Sequence, residues 1–164
     1  MYYLCDMDKK FISSSEAIKG CSDSVIAKSE RNDCVVRAIA SAYDMHYNAA
    51  HQLVKEKFHR QNGKGTRYFV RVMNLMSQAD VKINNKGIKT ITEEHNTMLY
   101  YVTVNGVKRL RKTTTGHFMK KYSTGSYIVT VRGHAFTIKD GVIIGNFEDG
   151  KKLKKHIEAA WKIG

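Results

Sequence analysis

The chain contains no proline and only three cysteines in 164 residues. Without proline, its turns must depend on glycine, asparagine and aspartate. Cys5, Cys21 and Cys34 are odd in number, are widely spaced and form no CxxC pair, which disfavours a disulfide framework, a zinc ribbon and a thioredoxin-like motif. No pair of histidines has the spacing of a metal site either. We therefore expect neither a metal nor a cofactor.

Targeting and membrane-spanning signals are also missing. The first residues, "MYYLCDMDKKF", lack the basic start and apolar core of a secretory signal, and no apolar run approaches the roughly 20 residues that cross a bilayer. These absences predict a cytoplasmic protein without a membrane partner. The length suits one domain over residues 1–164, in which residues 1–28 are the least defined segment.

Negative charge is scarce. The chain has 28 basic and 15 acidic residues, for a net charge of +13. Two basic clusters stand out, "VKRLRK" at 107–112 and "KKLKKH" at 151–156. Such a charge favours binding of an acidic protein or a nucleic acid, but it also serves solubility alone. Composition gives no oligomeric state.

Apolar spacing predicts three helices in the first half. From Cys34, apolar residues cover most of a helical surface up to Tyr43, as in a helix buried on nearly all sides, with Asn32 or Asp33 as its N-cap. Further helices are predicted over residues 48–60 and 66–79.

The second half changes to strands. Two β-rich runs flank Asn105-Gly106, which is a strong hairpin signal. A short helix over "TTTGHFMKKY" follows, and then the strands "SYIVTV", "HAFTIK" and "VIIGN". A basic helix over 151–162 is expected to end the chain. Helices followed by an antiparallel sheet predict an α+β fold.

The position of Cys34 raises the question of catalysis. The N-terminus of a helix carries a partial positive charge that favours thiolate over thiol, and its free N–H groups can hold an oxyanion. The alternative is that Cys34 is a small apolar residue filling the top of a buried helix. Cys5 and Cys21 have no comparable setting.

A thiolate nucleophile needs a base that also protonates the leaving group, which is a role suited to histidine. Among seven histidines, His134 differs because it opens an apolar strand directly after Gly133. Four others fall in predicted helices with polar neighbours and are expected to be solvated: His46, His51, His59 and His156.

The hairpin after His134 admits two registers. A two-residue turn at Asp140-Gly141 directs Asn146 away from His134 and leaves Asp149, or nothing, as its partner. A three-residue turn puts Asn146 directly across from His134 and builds a Cys-His-Asn site. The sequence leaves both registers open.

Two segments carry a family resemblance: "NDCVVRAIA", and "TTTGHFMKKYSTGSYIVTVRGHAFTIKDGVIIGN". Together they resemble the small papain-like cysteine peptidase domains of bacteriophage proteins, which are distantly similar to bacteriocin leader-processing peptidases. The resemblance implies a papain-like fold with Cys34 as nucleophile on the central buried helix and His134 as base. Asn146 is then the candidate orienting residue. Papain-like enzymes usually supply a Gln before the cysteine as an oxyanion donor, and Asn32 is the amide available here.

Two functions follow from these patterns. The first is a papain-like thiol hydrolase that cleaves a peptide or isopeptide bond of a protein substrate in the host cytoplasm, with acyl transfer as an open variant. The second is an inactive papain-like scaffold that binds an acidic host protein or nucleic acid through its basic surface. An enzyme requires Cys34 and His134, whereas a binder requires its lysines and weakens with salt.

Overall fold

The structure is a computed structural model that describes residues 10–164, so Cys5 lies outside the described residues. The chain is a mixed α+β protein, as predicted. The described helices are α1 (Ser14–Ala17), α2 (Val25–Ser29), α3 (Cys34–Tyr43), α4 (Tyr47–Phe58), α5 (Phe69–Gln78), α6 (Thr115–Lys121) and α7 (Phe147–Lys151). The described strands are β1 (Phe11–Ser13), β2 (Ile88–Ile91), β3 (Leu99–Val104), β4 (Val107–Lys112), β5 (Ser126–Val131), β6 (His134–Lys139), β7 (Val142–Gly145) and β8 (Ala159–Ile163).

Six strands form the main sheet in the order β1-β7-β6-β5-β8-β2. Its pairs are antiparallel except that β1 runs parallel to β7, with Phe11 opposite Ile143. The expectation of a purely antiparallel sheet is therefore wrong at this edge. The reason is that β1 comes from the N-terminal segment, far from β7 in sequence, and a strand that arrives through a long connection can pair in either direction.

Apolar side chains cover both faces of the sheet. One cluster joins α3, α4 and α5 to residues such as Ile128 and Trp161, and a second joins α6 to Val129 and Ile138. Helix α3 is almost wholly buried, in agreement with the apolar residues that cover most of its surface. Inside the first cluster, the Ser41 hydroxyl donates to Thr137 Oγ1 at 2.7 Å, and Thr137 donates to the Ala38 carbonyl at 2.9 Å. These bonds fix α3 against β6.

The predicted C-terminal helix is wrong. Helix α7 ends at Lys151, and the last residues instead form β8, which pairs with both β5 and β2. The physical reason is burial on both sides of the strand, because Ala160 and Trp161 are fully buried in succession. A strand covered on two faces has no alternating pattern, so its short apolar run resembles a helical segment.

The other predicted elements are present. The Asn105-Gly106 hairpin joins β3 to β4, and Thr114 caps α6. Helix α4 begins one residue before its predicted range and ends two residues earlier, and α5 falls within its predicted range. Among the described helices, none has the length and apolarity that crossing a bilayer would require.

Candidate active site

Cys34 is the first residue of α3, and the end of the helix around it is uncapped. Asp33 occupies the N-cap position, but its side chain makes no capping bond. Its carboxylate instead accepts the Arg37 Nε–H at 3.0 Å and the Tyr47 hydroxyl at 2.7 Å. The first-turn N–H groups of α3 therefore keep the partial positive charge that stabilises an anion. Asn32, the other predicted N-cap, takes no part in these hydrogen bonds.

His134 opens β6 directly after the Arg132-Gly133 turn, where it pairs with Val131 at the end of β5. Its Nε2 lies 2.8 Å from Asp149 Oδ2. Its imidazole lines the same cleft as the Cys34 thiol and lowers the pKa of that thiol. Because Asp149 occupies Nε2, the other ring nitrogen, Nδ1, is the one left for Cys34. The imidazole therefore lies between a thiol and a buried carboxylate.

The hairpin has the two-residue turn. Ile138 pairs with Ile143, and both turn residues, Asp140 and Gly141, have positive φ angles of 48° and 74°. Strand β7 then ends at Gly145, so Asn146 does not face His134 across the ladder.

The chain beyond β7 enters α7, whose N-terminus is closed by a capping box. Asn146 Oδ1 accepts the Asp149 N–H at 3.1 Å, and Asp149 Oδ2 accepts the Asn146 N–H at 2.8 Å. This turn places Asp149 beside His134. The Asn146 amide nitrogen is 3.5 Å from His134 Nε2, so Asp149, and not Asn146, makes the short contact.

The electrostatics of the three side chains favour an ion pair. Burial alone would lower the His134 pKa, but hydrogen bonds to Asp149 and Cys34 and their negative charges raise it to about 9. Burial alone would raise the Cys34 pKa, but the His134 hydrogen bond and the N–H groups of Ala135 and Val35 lower it below its ordinary value. The arrangement thus shifts Cys34 towards the thiolate and His134 towards the imidazolium.

Asn32 lines the same cleft as Cys34 and His134. It has a left-handed φ of 52°, and its side-chain amide donates one hydrogen to the Gly63 carbonyl at 3.2 Å. The amide has a second hydrogen. Asn32 is therefore held by the loop at 59–66 with one donor remaining.

That loop is fixed by a buried cluster that the sequence did not reveal. Glu30 accepts hydrogen bonds from Arg60 Nη2 at 2.5 Å and from the Gly63 N–H at 3.2 Å, and it lies 3.1 Å from His51 Nε2. The prediction that His51 is solvated is wrong, because it is buried against this carboxylate. Burial alone would raise the Glu30 pKa, but these bonds lower it to about 2.

A cleft of about 1310 Å³ runs over Cys34 and His134. The start of α3, the Gly133–Phe136 segment and Asn146 form one wall, and the region from Gly65 to Gln78 forms the other. Tyr68, Val70 and Leu75 are exposed apolar residues on this second wall, and Tyr68 is 74% exposed. Apolar side chains and the Cys34 thiol therefore line the same cleft.

No protein-family model matches the chain, and neither the curated proteins nor the solved structures contain a match to it.

Proposed function

We propose that the chain is a papain-like thiol hydrolase that cleaves a peptide or isopeptide bond of a protein substrate in the cytoplasm of a phage host. The observation that carries the proposal is that His134 shares a cleft with Cys34 and lies 2.8 Å from the buried Asp149 carboxylate. Asp149 takes the orienting role that the sequence assigned to Asn146, and Asn146 holds the turn that carries Asp149.

In the first half of the reaction, the Cys34 thiolate attacks the carbonyl carbon of the scissile bond and forms a tetrahedral oxyanion. Candidate donors to this oxyanion are the first-turn N–H groups of α3 and the remaining amide hydrogen of Asn32. As the intermediate collapses, the C–N bond breaks and the His134 imidazolium gives its proton to the leaving nitrogen. The products are a free amine and a thioester on Cys34.

In the second half, His134 is neutral and takes a proton from water, which attacks the thioester carbonyl. Breakdown of the new tetrahedral intermediate expels the Cys34 thiolate and releases a carboxylic acid. Asp149 positions the imidazole and stabilises its charged form in both halves. If an amine replaces water, the same site performs acyl transfer.

Alkylation of Cys34 tests the proposal without a known substrate. The parent protein and a His134→Ala variant are treated with iodoacetamide across a range of pH, and mass spectrometry locates the label. We expect Cys34 to react well below the pH at which an ordinary thiol ionises, and the variant to lose this reactivity. Cys21 is buried at 4% exposure, with a pKa raised by burial, and serves as an unreactive internal reference. A Cys34 thiol that is inert, or equally reactive in both proteins, would overturn the proposal.

A second candidate, an inactive scaffold that binds a polyanion, is favoured by one observation. All six residues of β4 are exposed, and four of them are basic: Lys108, Arg109, Arg111 and Lys112. None of these four forms an ion pair with any residue in the 10–164 range. This function predicts binding that weakens steeply with salt and survives the loss of Cys34.

A further inference from the structure

A second cavity of about 790 Å³ lies beside the active-site cleft. It is formed by the end of β4, the Arg132-Gly133 turn and the segment that leads into β8. Its charged and titratable lining residues, which we call the basic groove, are Lys112, Arg132, Lys154, Lys155, His156 and Glu158.

The basic groove begins where the active-site cleft ends. Val131 and Glu158 line both cavities. The β5–β6 turn divides them, since Gly133 lines the cleft and Arg132 lines the groove. His134 follows this turn directly. A polypeptide lying over Cys34 and continuing past Val131 therefore enters the basic groove.

The charge of the groove is not neutralised by the protein. Lys112, Arg132, Lys154 and Lys155 are all exposed, and none is within ion-pair distance of a carboxylate in the part of the chain that the structure describes. Glu158 is the one acidic side chain in the lining. Four positive charges against one negative charge make the groove complementary to carboxylates.

We propose that the basic groove binds an acidic segment of the polypeptide substrate, next to the bond that Cys34 attacks. This inference rests on the proposed function and adds a substrate class to it. The lining contains no Phe, Tyr or Trp on which bases of a nucleic acid would stack, whereas Met98, Leu99 and Ile157 offer apolar contacts. Continuity with a site that acts on a carbonyl also favours a polypeptide over a nucleic acid.

Peptide binding tests the inference directly. The full-length protein with Cys34→Ala is titrated into fluorescein-labelled hexaglutamate, and anisotropy is recorded at several salt concentrations. Hexaglutamine with the same label is the neutral control. We expect hexaglutamate to bind, its affinity to fall with salt, and hexaglutamine to bind at least about tenfold more weakly.

Matched charge reversals locate the binding. The double variant K154E/K155E reverses two charges of the groove, and K82E/K89E reverses two exposed lysines outside both cavities. Both variants change the net charge equally. We expect the groove variant to lose about tenfold in affinity and the control to lose no more than about twofold. Equal losses in the two variants would overturn the inference, because they would show attraction to net charge alone.

Different results would contradict the proposed binding of an acidic segment and the proposed hydrolase function. Each charge variant is also made with Cys34 intact, and its iodoacetamide reactivity reports whether the site is folded. A reactive Cys34 without hexaglutamate binding overturns the inference and leaves the hydrolase proposal standing. An inert Cys34 in the parent protein overturns the hydrolase proposal itself. A single-stranded oligonucleotide that displaces hexaglutamate at lower concentration than unlabelled hexaglutamate does would overturn the assignment to a polypeptide.

Discussion

Replacing Asp149 by Asn removes the charge beside His134 and nearly preserves the shape of the side chain. The Asp149 carboxylate is buried, its side chain is 2% exposed, and it lies 2.8 Å from His134 Nε2. An amide in this position can still accept a hydrogen bond, but it no longer stabilises imidazolium by charge. We expect the His134 pKa to fall while the fold persists.

The size of the effect follows from the pKa of His134, which rises from 6.5 to about 9 although burial opposes the rise. Since one pH unit corresponds to about 1.4 kcal/mol, this difference amounts to roughly 3 kcal/mol of preference for the charged form. Asp149 and Cys34 both contribute to this preference, so Asp149→Asn should lower the His134 pKa by about 1 to 2. Because the folded pKa is raised, the associated stability is fully present below pH 6.5 and is lost as the pH rises through about 9. The variant should lose less stability over that range.

The assay is an NMR titration of the His134 ring signals, identified by their absence in His134→Ala. Asn146→Ser is the matched control, because serine can still cap α7 and hold Asp149 in place, while the neutral amide 3.5 Å from Nε2 is removed. We expect the midpoint of the parent near pH 9, a similar midpoint in Asn146→Ser and a lower one in Asp149→Asn. An unchanged midpoint in Asp149→Asn, or an equal fall in both variants, would refute the role given to Asp149.

Three further predictions concern the scaffold of the site. Glu30→Gln leaves a buried cation unpaired and should destabilise the protein by about 3 to 5 kcal/mol in urea unfolding at neutral pH. It should also remove the loss of stability that the parent shows as the pH falls from 4.5 towards about 2. In Gly145→Ala, the new Cβ would overlap the Asp149 carboxylate, so Cys34 alkylation should slow and the Tm should fall. Thr137→Val and Ser41→Ala should each cost about 1 to 2 kcal/mol in urea unfolding, and the double variant less than their sum, since they share one hydrogen bond.

Part of the fold can be predicted from short stretches of the sequence. The apolar run after Cys34 identifies α3 because a helix buried on nearly all sides needs apolar residues around its whole circumference. Asn105-Gly106 identifies the β3–β4 hairpin because both residues accept positive φ, here 51° and 75°. The glycine before His134 marks the turn that opens β6. Each of these features depends on residues that are close together in the sequence, so each can be predicted from the sequence.

Other features depend on contacts between distant segments. Glu30 and Arg60 are thirty positions apart, and nothing near either residue indicates their pairing. The partner of His134 depended on whether the β6–β7 turn has two or three residues, and a sequence with Asp140-Gly141 permits both. With a two-residue turn, Asn146 becomes the N-cap of α7. The capping box then places Asp149 beside His134. One residue of turn length therefore decided which side chain faces the histidine.

The N-terminus of α3 has an arrangement that favours an anion at the expense of helix stability. An aspartate at the N-cap normally bonds to the first-turn N–H groups, and losing such a bond costs about 1 kcal/mol. Asp33 has the right side chain and the right position, yet Arg37 and Tyr47 hold its carboxylate away from those groups. One of the vacated N–H groups, that of Val35, helps to lower the pKa of Cys34 against the effect of burial. This departure from the stable helix end lies beside a cysteine that shares a cleft with a histidine, as a site that favours a thiolate requires.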